Sequence, residues 1–208
     1  MITEEMAKAQ TVDAANRLFY ARGLHSVTMD ELAREARLPL KRLYGAFPSK
    51  NAVIDEVLRA RRAEWELGIA AAAKDATTPR EKILAIYDFL EEWFAQDDFR
   101  GCAFINTFAE LGAISPSIAS AARDHKRAFQ DYVASLVSEL GAKGRLAAQL
   151  ALLAEGAQTT AAISGDTSAA RDARDAARVL IDAAIPGARE PSRSSRPPGY
   201  QAAAKTSR

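Results

Sequence analysis

Two adjacent cations, Lys41 and Arg42, are followed closely by Tyr44, and this short run is the part of the sequence best suited to bind a nucleic acid. Lysine and arginine donate hydrogen bonds to base edges and neutralise phosphates, and tyrosine donates to phosphate oxygens. A charge pair on a short helix is also what a plain solvated surface carries. The pair therefore acquires a functional meaning only from the elements that hold it.

Catalytic and metal-binding patterns are missing from the sequence. It contains no glycine-rich phosphate loop, no His-Glu-x-x-His motif, no nucleophile elbow and no Cys/His cluster at ligand spacing. Cys102 is the single cysteine, so neither an intrachain disulfide nor a cysteine metal cluster can form. Acids that are adjacent in sequence, such as Glu91-Glu92, make poor general acid–base pairs. We expect neither enzyme activity nor a cofactor.

The residues on both sides of the cation pair predict two short helices joined by a tight turn. Thr28 is followed three residues later by Glu31, which is a capping-box signature for a helix over about 29–37. Pro39 suits the first turn of a second helix, which should end near residue 46. This arrangement is a helix-turn-helix, in which the second helix enters the major groove of DNA.

The wider pattern resembles the amino-terminal domain of the TetR family of one-component transcriptional repressors. The shared features are a long amphipathic helix, Gly23, the Thr-capped short helix, the turn and then Leu-Tyr-x-x-Phe-Pro-Ser-Lys over 43–50. The resemblance covers about residues 11–58. It implies a homodimeric repressor that binds a palindromic operator in double-stranded DNA.

The resemblance also implies a set of DNA contacts, with some at bases and others at the phosphate backbone. They are Thr28, Met29, Leu40, Lys41, Arg42, Tyr44 and Lys50. The sequence departs from the family pattern at 37–39, where members often carry Gly-Val-Ser, and at 45–46, where members often carry a Tyr/His pair. The smaller groups at 45–46 remove contacts, so the operator sequence cannot be carried over from the family.

Composition predicts an all-α fold of about nine helices. Hydrophobic residues make up 48% and charged residues 26% of the 208 positions, and Ala, Leu and Arg dominate over Val, Ile and Thr. We expect a helix-turn-helix DNA-binding domain over 1–48 and a larger helical ligand-binding and dimerisation domain over 49–187. No apolar run approaches the roughly 20 residues of a membrane span, and the acidic start is no secretion signal, so we expect a cytoplasmic protein.

Charge is distributed unevenly along the chain. Residues 1–50 hold 8 Lys and Arg against 6 Asp and Glu, residues 51–187 hold 15 against 20, and residues 188–208 hold 5 against 1. A basic amino-terminal segment fits a surface that faces nucleic acid. The last segment is rich in Ala, Arg, Ser and Pro, which predicts a disordered basic tail. Its charges either keep the chain soluble or touch nucleic acid.

The larger domain should begin with a long helix over 49–74, capped by Ser49, which links it to the first domain. A short segment at 101–111 is apolar nearly all round, which predicts a buried helix. The last two helices, over about 145–164 and 167–185, are rich in alanine. The resemblance places them in a four-helix dimer interface, and plain packing within one chain is the alternative.

Bulky aromatic residues are more numerous in the larger domain than a small bundle needs, which suggests a cavity with a few polar groups. Filling of the core is the alternative, and His125 fits either. The candidate ligand contacts are Trp65, Trp93, Phe94, Phe104, Phe108, His125 and Gln158. Because no basic cluster marks this region for an anion, we expect an apolar or aromatic effector. The family resemblance implies that it releases DNA by moving helix 49–74.

A second function remains open on the sequence. Because 45–46 is a bare Gly-Ala tip, the chain is also compatible with a helical small-molecule carrier or protein-interaction module that has lost specific DNA binding. A gel shift with the intergenic DNA upstream of its own gene separates the two.

Overall fold

The computed structural model describes residues 3–185, and that part of the chain is an all-α fold of nine helices without a β-strand. The predicted all-α class and the helix count are confirmed. The helices are α1 Glu4–Arg22, α2 Met29–Glu35, α3 Leu40–Ala46, α4 Lys50–Ala72, α5 Pro79–Phe94, α6 Ala103–Leu111, α7 Pro116–Glu139, α8 Leu146–Ser164 and α9 Ala169–Ala184. No helix between residues 3 and 185 is long and apolar enough to cross a membrane. The tail predicted over 188–208 lies outside the described residues.

Side-chain caps set the starts of α2, α4 and α5. Thr28 and Thr78 each accept a hydrogen bond from the backbone N–H three residues on, and the glutamate at that position closes a capping box. Ser49 accepts from the N–H of Ala52 and begins α4. Each cap satisfies a donor that the first helical turn leaves unpaired.

The turn between α2 and α3 places an arginine in a left-handed conformation. Arg37 has φ of 55°, and it is the one non-glycine residue with positive φ in the described chain. The N–H of Leu38 bonds the carbonyl of Ala33 at 2.9 Å, which closes the turn as in a Schellman motif. Glycine favours this conformation, which accounts for the glycine that TetR-like sequences often carry at this point.

Two large apolar cores, with a small cluster of Ala7, Ala14, Ala36 and Leu38, hold the helices together. The first joins α1–α3 to the start of α4 and to residues from the α6 and α7 segment, namely Cys102, Phe104, Ile118 and Ala122. The second lies among α5, α7, α8 and α9, with Tyr87 and Leu90 near its centre. The first core thus extends well past residue 48, so α1–α3 rest on the helices that follow. The division into two domains at that residue stays a prediction.

The prediction that the short helix near 101–111 is buried all round is wrong. Only Phe104 and Thr107 of α6 are buried, while the Phe108 side chain is 49% exposed. Because α6 packs on one side against α7 and α4, its opposite side faces outward. The exposed Phe108 ring covers Gly112 instead, where an added Cβ would lie 2.5 Å from the ring.

Candidate nucleic-acid interface and interior cavities

The outer face of α3 carries three polar or charged side chains on a rigid base. Lys41, Arg42 and Tyr44 are exposed, and 48% of the Tyr44 surface is accessible to solvent. On the opposite face Leu43 is fully buried, and Phe47 just after the helix is buried beside it. These two anchors hold α3 against the first core, so its polar face has a defined orientation.

The start of α1 lies next to this face. Glu4 lines a shallow depression together with Pro39, Lys41, Arg42 and Gly45. Lys8 bonds the Glu4 carboxylate at 2.9 Å and lowers its pKa, and the charge of Arg42 lowers it further. An added Cβ on Gly45 would meet no atom within 4 Å. The surface at this end of α3 is therefore open enough for a large ligand.

Thr28 and Met29 lie at the start of α2, and the Thr28 polar groups already have partners. Its N–H donates to Glu31 at 2.8 Å, and its hydroxyl accepts from the Glu31 N–H at 3.2 Å. The bonds that the Glu31 carboxylate accepts from the Thr28 N–H, from Arg22 and from the Thr28 hydroxyl lower the pKa of Glu31 to about 2. Met29, like Leu40 at the start of α3, is half-buried against the first core.

Lys50 has a different environment from the one expected for a phosphate contact. Its ammonium donates to the carbonyl of Leu24 and lies 5.9 Å from the centre of the Phe19 ring. Burial lowers the pKa of Lys50. The bond to Leu24 uses one of the three N–H donors of the ammonium group, so the others can still contact a phosphate.

Two cavities lie beside α4. One has a volume of about 270 Å³ between α4 and α7 and is lined by Trp65, Ile69, His125, Phe129 and Tyr132, among others. The other, of about 290 Å³, is lined by Tyr20, Arg61, Trp65, Phe89, Trp93, Gln96, Cys102, Phe104 and His125, among others. Trp65 and His125 line both, so the two cavities meet at these side chains.

The predicted ligand contacts divide into two groups. Trp65, Trp93, Phe104 and His125 line a cavity, whereas Phe94 is buried in the second core. Phe108 is exposed on α6 and lines neither cavity. Gln158 is buried, and its Oε1 has no hydrogen-bond partner among the described residues, but it too lies outside both linings.

Sequence reasoning missed several lining residues, above all Phe89 and Phe129. Helical spacing carried the signal: Phe89 precedes Trp93 by four positions and Phe129 follows His125 by four, so each shares a face with a predicted residue. Phe89 also explains Gly68, where an added Cβ would lie 2.2 Å from the Phe89 ring. The absence of a side chain at this position of α4 therefore leaves the space that the Phe89 ring occupies.

His125 is the buried polar group of these cavities. Its ring stacks on Phe104 with 3.8 Å between centroids and meets Trp65 edge-on at 6.0 Å. Burial, assisted by the charges of Lys126 and Arg62, lowers the pKa of His125 to about 4. The imidazole is consequently neutral at pH 7.

Hydrogen bonds connect the cavity wall to the first helices. The Tyr20 hydroxyl on α1 donates to the Gly101 carbonyl at 2.7 Å and accepts from the Arg100 N–H at 2.9 Å. The Arg61 guanidinium of α4 lies 4.3 Å from the Tyr20 ring. Farther along α6, the Glu110 carboxylate bonds the backbone of Leu24 and His25. The loop before α6 thus lines the cavity and bonds Tyr20 of α1. Helix α6 itself bonds the loop that leads into α2.

Helices α8 and α9 leave an apolar face uncovered. Leu152 and Ile163 on α8 and Val179 on α9 are each at least 65% exposed. Gly156 lies one turn after Leu152 on the same side of α8, and an added Cβ there would meet no atom within 4 Å. Exposed apolar side chains that form a contiguous patch are typical of protein–protein interaction sites. In residues 3–185 no group of three or more His, Cys, Asp or Glu is placed to hold a metal ion.

Comparison with protein families finds two adjacent matches. Residues 12–57 match the model described as bacterial regulatory proteins, tetR family, and residues 79–177 match the tetracyclin repressor-like C-terminal domain. The first contains the helix-turn-helix, and the second contains most of the second core. Together they cover well over half of the chain.

Individual relatives agree with these matches. The HTH-type transcriptional regulator YjdC of Escherichia coli is 25% identical over 154 residues, which are 73% of this chain and 81% of YjdC. The crystal structure of the TetR-family regulator SCO4454 from Streptomyces coelicolor superposes with a TM-score of 0.81 at 24% identity, over 87% of this chain and 97% of that one. The reduced form of E. coli NemR gives a TM-score of 0.74 at 21% identity, over 84% and 97% of the two chains.

Proposed function

Because the chain belongs to the tetR family of bacterial regulatory proteins and is a helix-turn-helix transcriptional regulator, we propose that it is a repressor that binds a palindromic operator as a homodimer and is released by a small aromatic or apolar ligand. The observation that carries the proposal is the face of α3, where Lys41, Arg42 and Tyr44 are exposed above the buried anchors Leu43 and Phe47. A rigid helix with exposed cations at the surface is what major-groove recognition requires.

In this proposal Lys41 and Arg42 bind base edges or nearby phosphates, and Tyr44 donates to the backbone. Leu40 and Met29 supply apolar contacts at the edge of the interface. Thr28 would donate its hydroxyl proton to a phosphate in place of the Glu31 carboxylate, which receives it in this structure. Lys50 positions the loop before α2 through Leu24, and its remaining ammonium donors contact the DNA backbone.

The proposed dimer forms through α8 and α9. The uncovered Leu152, Ile163 and Val179 would be buried against the partner subunit's copy of the same face. Gly156 supports close approach of the two helices because its position is open in the single chain. A two-fold axis there would present two α3 helices, which a palindromic operator needs about 34–36 Å apart in successive major grooves.

The cavities beside α4 are the proposed effector site. A ligand between α4 and α7 would displace α4, which follows α3 in the chain after a short turn. A ligand can shift the protein toward the released state only if it binds that state more tightly. Linkage then requires operator DNA to weaken ligand binding by the same factor.

The second candidate, a carrier or interaction module without specific DNA binding, is favoured by one feature. Gly45 at the end of α3 offers no side chain where TetR-like sequences often carry a tyrosine. Under this alternative the cavities would bind a ligand without any coupling to DNA binding. DNA binding therefore separates the two candidates.

A gel shift with the intergenic DNA upstream of the gene tests the proposal. We expect a specific complex that Arg42→Ala weakens at least tenfold and makes less selective among base substitutions. Lys143→Ala is the matched control, because Lys143 is an exposed cation in the loop between α7 and α8. Unchanged affinity and selectivity in Arg42→Ala would contradict the groove assignment, and absence of any specific complex would favour the carrier.

A further inference from the structure

The two cavities beside α4 are neighbouring lobes on either side of Trp65 and His125. They share Trp65 and His125, and each lobe, at about 270 and 290 Å³, is near the lower end of the range for ligand pockets, roughly 300–1,000 Å³. A molecule of one or two fused rings fits one lobe. A longer molecule would have to pass between the two shared side chains.

Aromatic rings shape the interior of this site. Trp65 meets Phe89, Trp93 and Phe129 edge-on, with ring centroids 5.3–5.6 Å apart. Phe104 covers one face of His125 in a parallel stack. Rings at these angles present flat and edge surfaces on which a planar aromatic ligand gains both area burial and ring–ring interactions.

Charged side chains around the site are compensated by neighbours. Arg61 bonds Asn16 and pairs with Glu64 at 3.3 Å, and Glu66 pairs with Arg62 at 2.9 Å. His125 is neutral at pH 7 because its pKa is about 4. An ionic ligand would therefore lose its hydration without gaining an unpaired counter-charge, which is costly in a partly enclosed site.

His125 is the polar side chain that a ligand in either lobe would meet, because it lines both. The residue is only 6% exposed, lines both lobes, and its ring nitrogens make no hydrogen bond to any of residues 3–185. A neutral imidazole offers one donor and one acceptor. Because these nitrogens have no partner in the described chain, they can bond a ligand that supplies a hydroxyl.

We propose that this site binds an uncharged planar aromatic compound with a hydroxyl group, such as a phenol or naphthol, whose ring packs beside Trp65 and whose hydroxyl bonds His125. The proposal rests on the proposed function to the extent that this cavity is the effector site. It adds the chemical class of the effector and names His125 as the residue that determines specificity.

Isothermal titration of the full chain with three matched probes tests the proposal. 2-Naphthol carries the ring and the hydroxyl, naphthalene lacks the hydroxyl, and 2-naphthoate adds a negative charge. We expect 2-naphthol to bind about tenfold more tightly than naphthalene, as one hydrogen bond to a buried group implies. It should also bind at least tenfold more tightly than 2-naphthoate.

Substitution of His125 tests whether this residue causes the difference in affinity between 2-naphthol and naphthalene. His125→Phe keeps a ring to stack on Phe104 but removes both nitrogens, so the affinity for 2-naphthol should fall to that for naphthalene, which stays unchanged. His25→Phe is the control, because His25 is the other histidine and lies in the exposed loop before α2. The wild-type ranking of the three probes tests the proposal even if His125→Phe does not fold.

Three results would overturn this proposal: equal binding of 2-naphthol and naphthalene, tighter binding of 2-naphthoate, or full affinity for 2-naphthol in His125→Phe. A gel shift of the same preparation with operator DNA distinguishes failure of this ligand proposal from failure of the proposed function. Operator binding without 2-naphthol binding overturns the ligand class alone. Binding of 2-naphthol that depends on His125, in a chain that binds no operator, supports the ligand class and contradicts the repressor.

Discussion

The Glu110 carboxylate on α6 accepts the backbone N–H of Leu24 through both oxygens, at 3.0 and 2.9 Å. Glu110 and Leu24 are 86 positions apart in sequence. The same carboxylate accepts the N–H of His25 at 3.1 Å. One side chain thus holds the loop that leads into α2, on a helix whose other end lines the cavity.

We predict that Glu110→Ala lowers the free energy of unfolding by about 2 kcal/mol, because two backbone donors lose a charged acceptor. Urea unfolding followed by circular dichroism measures the change. Glu92→Ala is the control, since Glu92 is an exposed acid of α5, and it should change stability by less than about 0.5 kcal/mol. Equal stability of Glu110→Ala and wild type would show that the loop does not depend on this carboxylate.

Arg37→Gly should stabilise the protein by about 0.5–1 kcal/mol. Arg37 has φ of 55°, a conformation that costs an L-residue roughly 1–2 kcal/mol, and glycine removes this cost at some expense in chain entropy. Thermal unfolding measures the shift. Arg34→Gly provides the comparison: Arg34 lies within α2, so the same change should destabilise by about 1 kcal/mol. A loss of stability in Arg37→Gly would contradict the strain assigned to the turn.

Gly156→Leu should weaken the proposed dimer at least tenfold while leaving the fold of each chain intact. The added side chain has open space within one subunit but would separate two α8 helices that pack face to face. Sedimentation equilibrium gives the dissociation constant. Gly45→Leu, at a helical glycine with equally open surroundings on α3, should leave the dimer unchanged. If both variants dimerise like the wild type, this face of α8 is not the interface.

Stability should fall by about 2 kcal/mol between pH 7 and pH 4.5 because of His125. Its pKa is about 4 in the folded chain against an ordinary value of 6.5, so below pH 6.5 the unfolded chain binds the extra proton. The folded state is therefore favoured fully above pH 6.5 and loses that advantage as the pH falls toward 4. Lys126 and Arg62 add to the effect because they repel the charged imidazole.

Urea unfolding at both pH values, for wild type and His125→Phe, isolates this contribution. The variant should lose about 2 kcal/mol less than the wild type over the interval. Glu31 and Glu81, each with a pKa near 2, stabilise the folded chain above pH 4.5 and lose that contribution below it. They affect both proteins alike, so parallel pH profiles for the two would contradict the burial of a neutral His125.

Local chemistry in the sequence determined where α2, α4 and α5 begin and which face of α3 is polar. Thr28, Ser49 and Thr78 cap helices through bonds to residues three positions away, and such bonds depend on nothing outside the segment. The spacing of Leu43 and Phe47 likewise determined that Lys41 and Arg42 face outward. These features, with the TetR-like pattern, were enough to identify the family.

Tertiary packing decided which residues meet across the chain. Lys50 bonds Leu24, and His125 stacks on Phe104, because α4, α6 and α7 cross at particular angles that periodicity does not encode. Periodicity shows that a helix has an apolar face but not which neighbour covers it, so Phe108 was placed in a cavity although α6 leaves it exposed. Phe89 entered the cavity because Gly68 on the neighbouring helix leaves room for its ring.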